Sequence, residues 1–361
     1  MKKVSGIFRF WSIVAGISSF VLASFLPVSC KMTEDGITID DADVEAPAIV
    51  SFRVESAERV KIVCSKKIEF ESLALSKFGS KEPAGEVSVS YDESGASAAI
   101  LFAQPTLVGS KYVLSGIIKD SRGNTLEFTK PFVGFNANPA RLVLSEIRPG
   151  SSGNKVEFVE VYALSDGNVS GLSIVSGLYG EKKRYHFPSV EVSKGEYITV
   201  HMRTKDTEKD KCINETGSEL SRSSATDSSS SRDLWKSTSE RYVASKDVLA
   251  LMKDSDGTLL DAILYSQSGN NEPWKSNVQK AIAKAAVESG VWTGGVEPSE
   301  NGFADNITNA ATSRSLSRQN IAELSKMKEI PDVIPAGPSD WLVVKTVTPG
   351  MKNSSEPYVK K

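Results

Sequence analysis

From residue 47 onward, apolar and polar side chains trade places at short intervals. The runs IVSFRV, RVKIVC, GEVSVSY, SAAILFA, SKYVLSGII and TLEFTKPFVGF each carry an alternation of period two. That period sends successive side chains to opposite faces of a strand, so each run predicts a half-buried strand. Turn sequences at 92–95 (DESG) and 121–124 (SRGN) separate them. A second series begins at 141 with RLVLSEIRP, KVEFVEVYA, LSIVS, KRYHFP and EYITVHMR, broken by PGSSGN, SDGN and KGE. It resumes at 247 with DVLALMK and LLDAILY around DSDGT, a hairpin with Asp256-Gly257 at its tip. SNVQKAIAKAAVESG, at 276–290, has the helical period instead. Ser276 and Gln279 have capping-box spacing there, Val278, Ile282, Ala285 and Ala286 share a face, and Gly290 suits the left-handed exit. Short strands follow near SRSLSR and DWLVVK, the second bringing Trp341 back to the core.

The pattern predicts an all-β chain: two β-sandwiches in series, with one short helix and a disordered Ser-rich insertion in the second. Some seven short strands within 47–137 have the rhythm of an immunoglobulin-like sandwich. NANPA at 136–140 reads as the linker. A second sandwich occupies 141–353, with insertions at 206–240 and 270–312. The stretch 218–239 holds ten serines, and its few apolar groups predict disorder, because little burial offsets the entropy of ordering it.

The first 46 residues follow other rules. Lys2, Lys3 and Arg9 precede a stretch, 10–29, that carries no charge. A basic flank, an apolar run and small residues before Cys30 are the parts of a signal peptide, expected at 1–29. The context LPVSC resembles the lipobox of bacterial lipoproteins, in the relaxed form of spirochaete-type lipoproteins. That resemblance implies acylation of Cys30 and an anchor of acyl chains in the membrane. Two other readings stand beside it: the same stretch is long enough to span a bilayer uncleaved, and ordinary signal peptidase has a site near Ala23. Removing the three leader cations takes the formal net charge from −2 to −5. So acidic a surface is not drawn to anionic headgroups, which leaves anchoring to the lipid. Residues 31–46 contain six acids and one lysine, and 30–46 is expected to be an extended acidic tether.

Candidate chemistry is sparse. Hydrophobic residues make up 40% of the 361, enough for a core, whereas two histidines and three cysteines exclude a disulfide-dense scaffold and oppose a zinc cage. With Cys30 acylated, Cys64 is expected to be a small hydrophobe on a strand, and Cys212 lies in a polar loop with no base to activate it. Glu146, Glu157, Glu160 and Asp261 all fall in predicted strands. Glu157 and Glu160 are three apart and so point to opposite faces, which keeps them from acting as an acid–base pair. The four are expected at edges, rims or in hydrogen bonds. His186 and His201 lack a metal-ligand partner at i+2 or i+4 and read as strand residues. Asp120 and Asn124 supply too few oxygens for calcium and read as turn residues. Nucleophile-elbow, P-loop and dinucleotide-binding patterns are absent. No catalytic residue, cofactor or metal is expected, and Cys30 is the one site residue predicted, as a lipidation site.

Two resemblances organise the rest. YVLSGIIKDSRGNTLEF, 112–128, resembles the last hairpin of bacterial Ig-like domains. The order VLSEIRPG, KVEFVEVYALSD, NVSGLSI, KGEYITV, VLALMKDSDGTLLDAILY, SRSLSRQN and DWLVVKTVTPGMKN resembles the lamin tail domain (LTD) of bacterial extracellular proteins. It implies an Ig-like sandwich over about 210 residues. The function expected is that of a non-enzymatic, lipid-anchored envelope protein, on the cell membrane or outer membrane and facing the periplasm or the outside, that binds an unidentified protein or glycan. A nucleic-acid-handling accessory of the LTD type and an extracytoplasmic hydrolase are the alternatives. The acidic charge opposes phosphate binding in the first, and strand geometry opposes the second.

Overall fold

The alternating runs become strands, and the strands pair into facing sheets. The computed structural model describes residues 45–150, 155–220, 222–266, 274–296, 304–305 and 313–359. The expected signal peptide at 1–29, Cys30 and nearly all of the expected tether at 30–46 lie outside the described residues, as does part of 270–312.

The first eight strands are β1 (Ile49–Ser56), β2 (Arg59–Cys64), β3 (Glu69–Lys77), β4 (Pro83–Gly85), β5 (Val87–Tyr91), β6 (Ser97–Phe102), β7 (Lys111–Lys119) and β8 (Thr125–Val133). They form two antiparallel four-stranded sheets, ordered β1-β2-β6-β5 and β4-β3-β7-β8. In β2, Val60, Ile62 and Cys64 are buried and the residues between them are not. They meet Leu114, Ile118, Phe128 and Phe132 from the other sheet. Cys64 is therefore the buried hydrophobe that its strand position predicts. At the β7–β8 turn Asp120 accepts from the amides of Arg122 (2.9 Å) and Asn124 (2.9 Å) and from Asn124 Nδ2 (2.9 Å). The Asn124 bond leads in holding the Asp120 carboxyl down at about 2.

The second set comprises β9 (Leu142–Arg148), β10 (Phe158–Ala163), β11 (Gly167–Asn168), β12 (Leu172–Ser176), β13 (Tyr185–His186), β14 (Glu191–Val192), β15 (Tyr197–His201), β16 (Arg232–Trp235), β17 (Asp247–Lys253), β18 (Leu259–Ser266), β19 (Ala304–Asp305), β20 (Ser315–Arg318) and β21 (Trp341–Val344). Helices α1 (Asn277–Glu288) and α2 (Ile321–Leu324) complete it. A six-stranded sheet, β16-β15-β10-β9-β20-β21, faces a five-stranded one, β13-β12-β17-β18-β19. Every residue of β9, β10 and β12 is buried, so both faces of the sheets are covered. Inner residues such as Leu144, Val159, Val161, Ile198 and Val200 meet Leu249, Leu251 and Ile263. On the outer face, Val143, Tyr162 and Leu164 pack under Ile321, Leu324 and Ile334.

Three expectations are corrected. The Ser-rich stretch is not disordered where it is described: β16 pairs in parallel with β15, Leu234 enters the core, and Trp235 is buried against Val156 and Ala225. Composition missed this because a few apolar residues sit among serines that satisfy backbone and side-chain groups locally. The single helix has a companion in α2. In α1 the capping box forms and Gly290 takes a φ of 77°, but the buried face is Gln279, Ala283 and Ala286, and Val278 is exposed. Gly177 explains the rotation: a Cβ there would lie 3.0 Å from the Gln279 backbone, so the helix seats its small side on a glycine.

The linker is docked rather than loose. Asn136 Nδ2 donates to the carbonyls of Asn168 (2.8 Å) and Ser170 (2.9 Å), and Pro139 bridges to Asn168.

Candidate functional site

The buried polar residues of the second sandwich were the strongest candidates for chemistry. A bulge in β9 places Glu160 opposite Glu146 and Val161 opposite Leu144. Both glutamates therefore leave the outer face side by side, although neither strand alone reveals it. Both are fully buried, not at an edge or rim, which corrects that part of the expectation. Glu146 accepts from Ser315 Oγ, from the Thr348 amide (3.1 Å) and from Thr348 Oγ1 (3.0 Å). Glu160 accepts from Thr199 Oγ1 (3.2 Å) and the Gly350 amide. Residues 348–353 thus lie as a strap across the two carboxyls, fastened by Asn353, whose Nδ2 donates to Ser145 O (3.0 Å) and Arg318 O (2.8 Å). Burial pushes the Glu146 carboxyl up. Burial, and then the charge of Glu146, push Glu160 well above the usual carboxylate range.

Glu157 points the other way, as its spacing predicts. It accepts from the Tyr242 amide (3.0 Å) and pairs with Arg203 Nε (2.9 Å). Asp261, on the facing sheet, meets Arg318 Nη1 at 2.7 Å with both side chains fully buried, and also accepts from the Leu144 amide (2.7 Å). Burial raises its carboxyl and the Arg318 charge opposes the rise. Asp247, which the sequence did not single out, binds Ser176 Oγ, the Leu178 amide (2.9 Å) and Gln279 Nε2 (3.1 Å). Burial holds it at about 6.

Both histidines lie in strands. His186 Nδ1 meets Asp254 Oδ2 at 3.0 Å on the surface. His201 Nε2 meets Asp233 Oδ1 at 2.8 Å, and its ring stacks on Trp235 at 3.7 Å, with no exposed surface. An Asp–His pair is half of a nucleophilic triad. Here it closes the β15–β16 seam, out of reach of a substrate. Asp233, in turn, accepts from the Ser229 amide, and Glu215 from the amides of Arg222, Ser223 and Asp233. Ser223, Ser228, Ser229, Ser230 and Ser231 are held in bonds of this kind.

Among the described residues no group of three or more His, Cys, Asp or Glu side chains is arranged to hold a metal ion, and no helix is long and apolar enough to cross a membrane. A cavity of about 450 Å³ opens at the end of the first sandwich beside Lys67, Glu69, Lys119 and Asp120, but the Asp120 oxygens are taken by its own turn and by Lys66, 3.5 Å away. Cys64 and Cys212 are free thiols, and burial raises both. Cys30 lies outside the described residues.

Relatives place this sandwich more directly than its chemistry does. An uncharacterized protein of Treponema pallidum (strain Nichols) is 31% identical over 204 residues, 54% of this chain and 50% of that one, so the chain spans about half the length of this curated relative. Solved structures of S-layer proteins also align: rSbsC(31-844), at 13% identity and a TM-score of 0.23 over 43% of this chain and 32% of that one, and the N-terminal part of SbsC, at 12% and 0.25 over 61% and 43%. Those scores are too low to argue a shared fold. Residues 140–343, more than half of the chain, match the family model described as TP_1001_2nd, protein second domain, and the chain belongs to that family.

Proposed function

We propose that this is a lipid-anchored, non-enzymatic protein of the cell envelope, held to a membrane by acyl chains on Cys30. The chain presents its sandwiches, an Ig-like one and a lamin-tail-type one, to a partner outside the cytoplasm. One observation carries the non-enzymatic part: the acids and the histidine best suited to catalysis are buried in the second sandwich and bonded to its own backbone and side chains. A catalytic carboxylate must reach a substrate, and these reach strands and a strap. The anchor rests on the uncharged stretch and LPVSC, since two or more acyl chains hold a protein firmly at ~0.8 kcal/mol per buried methylene. The most specific part of the lamin-tail resemblance is the SRSLSR segment followed by the DWLVVKTVTPGMKN end; the two pair as β20 and β21, and TPGMKN forms the strap, which supports that reading.

The test is metabolic labelling with a fatty-acid analogue. Wild type should carry label, and Cys30→Ala should lose it and weaken in membrane association. Equal label in the mutant sinks the anchor. A panel of esterase, glycosidase and nuclease substrates should show no turnover; turnover lost on Glu160→Gln would restore the hydrolase.

A further inference from the structure

Outside the network just described, one surface of the second sandwich gathers cations on aromatic rings. The ammonium of Lys236 lies 4.2 Å from the Tyr242 ring centre, and that of Lys183 lies 5.1 Å from the same centre. Lys183 also sits 4.3 Å over Tyr179, and Lys236 5.9 Å over Tyr185. Two cations that share one ring repel each other, which opposes their attraction to it. Burial and the neighbouring Lys183 charge hold the Lys236 ammonium below the usual lysine range.

The surrounding charges are accounted for. Arg184 is taken by Glu181 and by Asp254 (3.5 Å), and Asp254 also takes His186. Each lysine gives one bond to a main-chain carbonyl: Lys183 to Arg241 O (2.6 Å) and Lys236 to Arg184 O (2.9 Å). The carboxylate that meets this cluster is Glu240, which pairs with Lys183 alone, 3.2 Å from its Nζ and with 68% of its side chain exposed. An ion pair so exposed is worth little and exchanges readily. Glu240 thus shows which chemistry the cluster accepts, and holds the place weakly.

We propose that the Lys183–Lys236–Tyr242 cluster is a docking site for an acidic peptide segment of a partner protein, whose Asp or Glu carboxylate takes the place of Glu240. The inference rests on the binding role proposed above and names the partner's chemistry. A carboxylate on a flexible stem suits ammoniums as recessed as Lys183, whose side chain is 20% exposed. A uronic-acid carboxylate sits directly on a rigid ring and reaches them poorly. Nucleic acid is disfavoured because the ring faces that would stack bases are already covered by ammoniums.

The test uses the full chain in detergent and a fluorescein-labelled decaglutamate peptide, read by anisotropy. Binding should weaken as salt rises, as a contact between charges must. Lys183→Gln/Lys236→Gln should weaken it about tenfold, whereas Lys183→Arg/Lys236→Arg should stay within about threefold, which separates loss of charge from loss of fold. Glu240→Gln should tighten it several-fold by vacating the site. Equal binding by the double glutamine variant, no gain from Glu240→Gln, or polygalacturonate competing as well as unlabelled decaglutamate would each overturn the proposal, the last in favour of an acidic saccharide. Cys30→Ala run in parallel keeps the two readings apart: loss of the fatty-acid label with unchanged peptide binding concerns the anchor alone.

Discussion

Replacing Glu160 by glutamine asks whether the pair under the strap shares one proton. Glu160 is buried beside Glu146, and both carboxyls are raised, Glu160 the further. A carboxyl raised in the folded state holds its proton where the unfolded chain has released it. The stability it contributes is complete below the unfolded value of roughly 4.3 and is lost as pH climbs through the folded value. Within that window the native state binds one proton more than the unfolded state, so each pH unit removes about 1.4 kcal/mol. Glutamine is neutral throughout, and its side-chain oxygen can accept from Thr199 Oγ1 and the Gly350 amide as Glu160 does. Urea unfolding of wild type and Glu160→Gln at half-unit steps from about pH 3 to 8, followed by tryptophan emission, gives the difference directly. The variant's stability should fall less steeply with pH, by up to about 1.4 kcal/mol per unit, and the curves should run parallel below pH 4. Asp247 and Asp261 titrate in both proteins and cancel, whereas Glu146, coupled to Glu160, is part of what the difference reads. Parallel curves over the whole range would mean that Glu160 is ionised in the folded protein, and the shared proton would be refuted.

The other expectations concern packing and pairing. Arg318→Met should cost about 3–5 kcal/mol by leaving Asp261 buried without its counter-charge, and Arg318→Met/Asp261→Leu should cost less than the single change; urea midpoints decide this. Trp235→Ala should lower the melting temperature of the second sandwich by removing the ring that His201 stacks on, at about 3–5 kcal/mol; no change would mean that the serine-rich stretch adds nothing to stability. Trp341→Ala should cost a similar amount and leave the β1–β8 sandwich folded, as limited proteolysis would show.

How far the sequence was legible depended on the range of the interaction. Strands of the first sandwich follow from alternation, because each has one wet face, as the pattern in β2 shows. The α1 capping box and the Asp256-Gly257 hairpin tip are local, and local chemistry suffices for them. In the second sandwich the six-stranded sheet is covered on both faces, so alternation no longer separates inside from outside. Glu146 and Glu160 reveal themselves only through a strand register and a bulge, neither written in either strand alone. The β16 strand was hidden by composition, since RDLW is four residues in a run of serines. Trp341 was legible because a tryptophan opening a run of four apolar residues, WLVV, is costly to leave in water.

The strap also has a kinetic side. The Thr348 amide reaches Glu146 across 202 residues of sequence, and the Leu144 amide reaches Asp261 across 117. Contacts so distant contribute only after long loops have closed, so the second sandwich is expected to form late and slowly. A growing chain that has reached residue 340 still lacks β21, the strap and the amides that quench two buried carboxyls. Its second sandwich is then expected to stay open until the last residues arrive, while the first, complete by Val133, can already close.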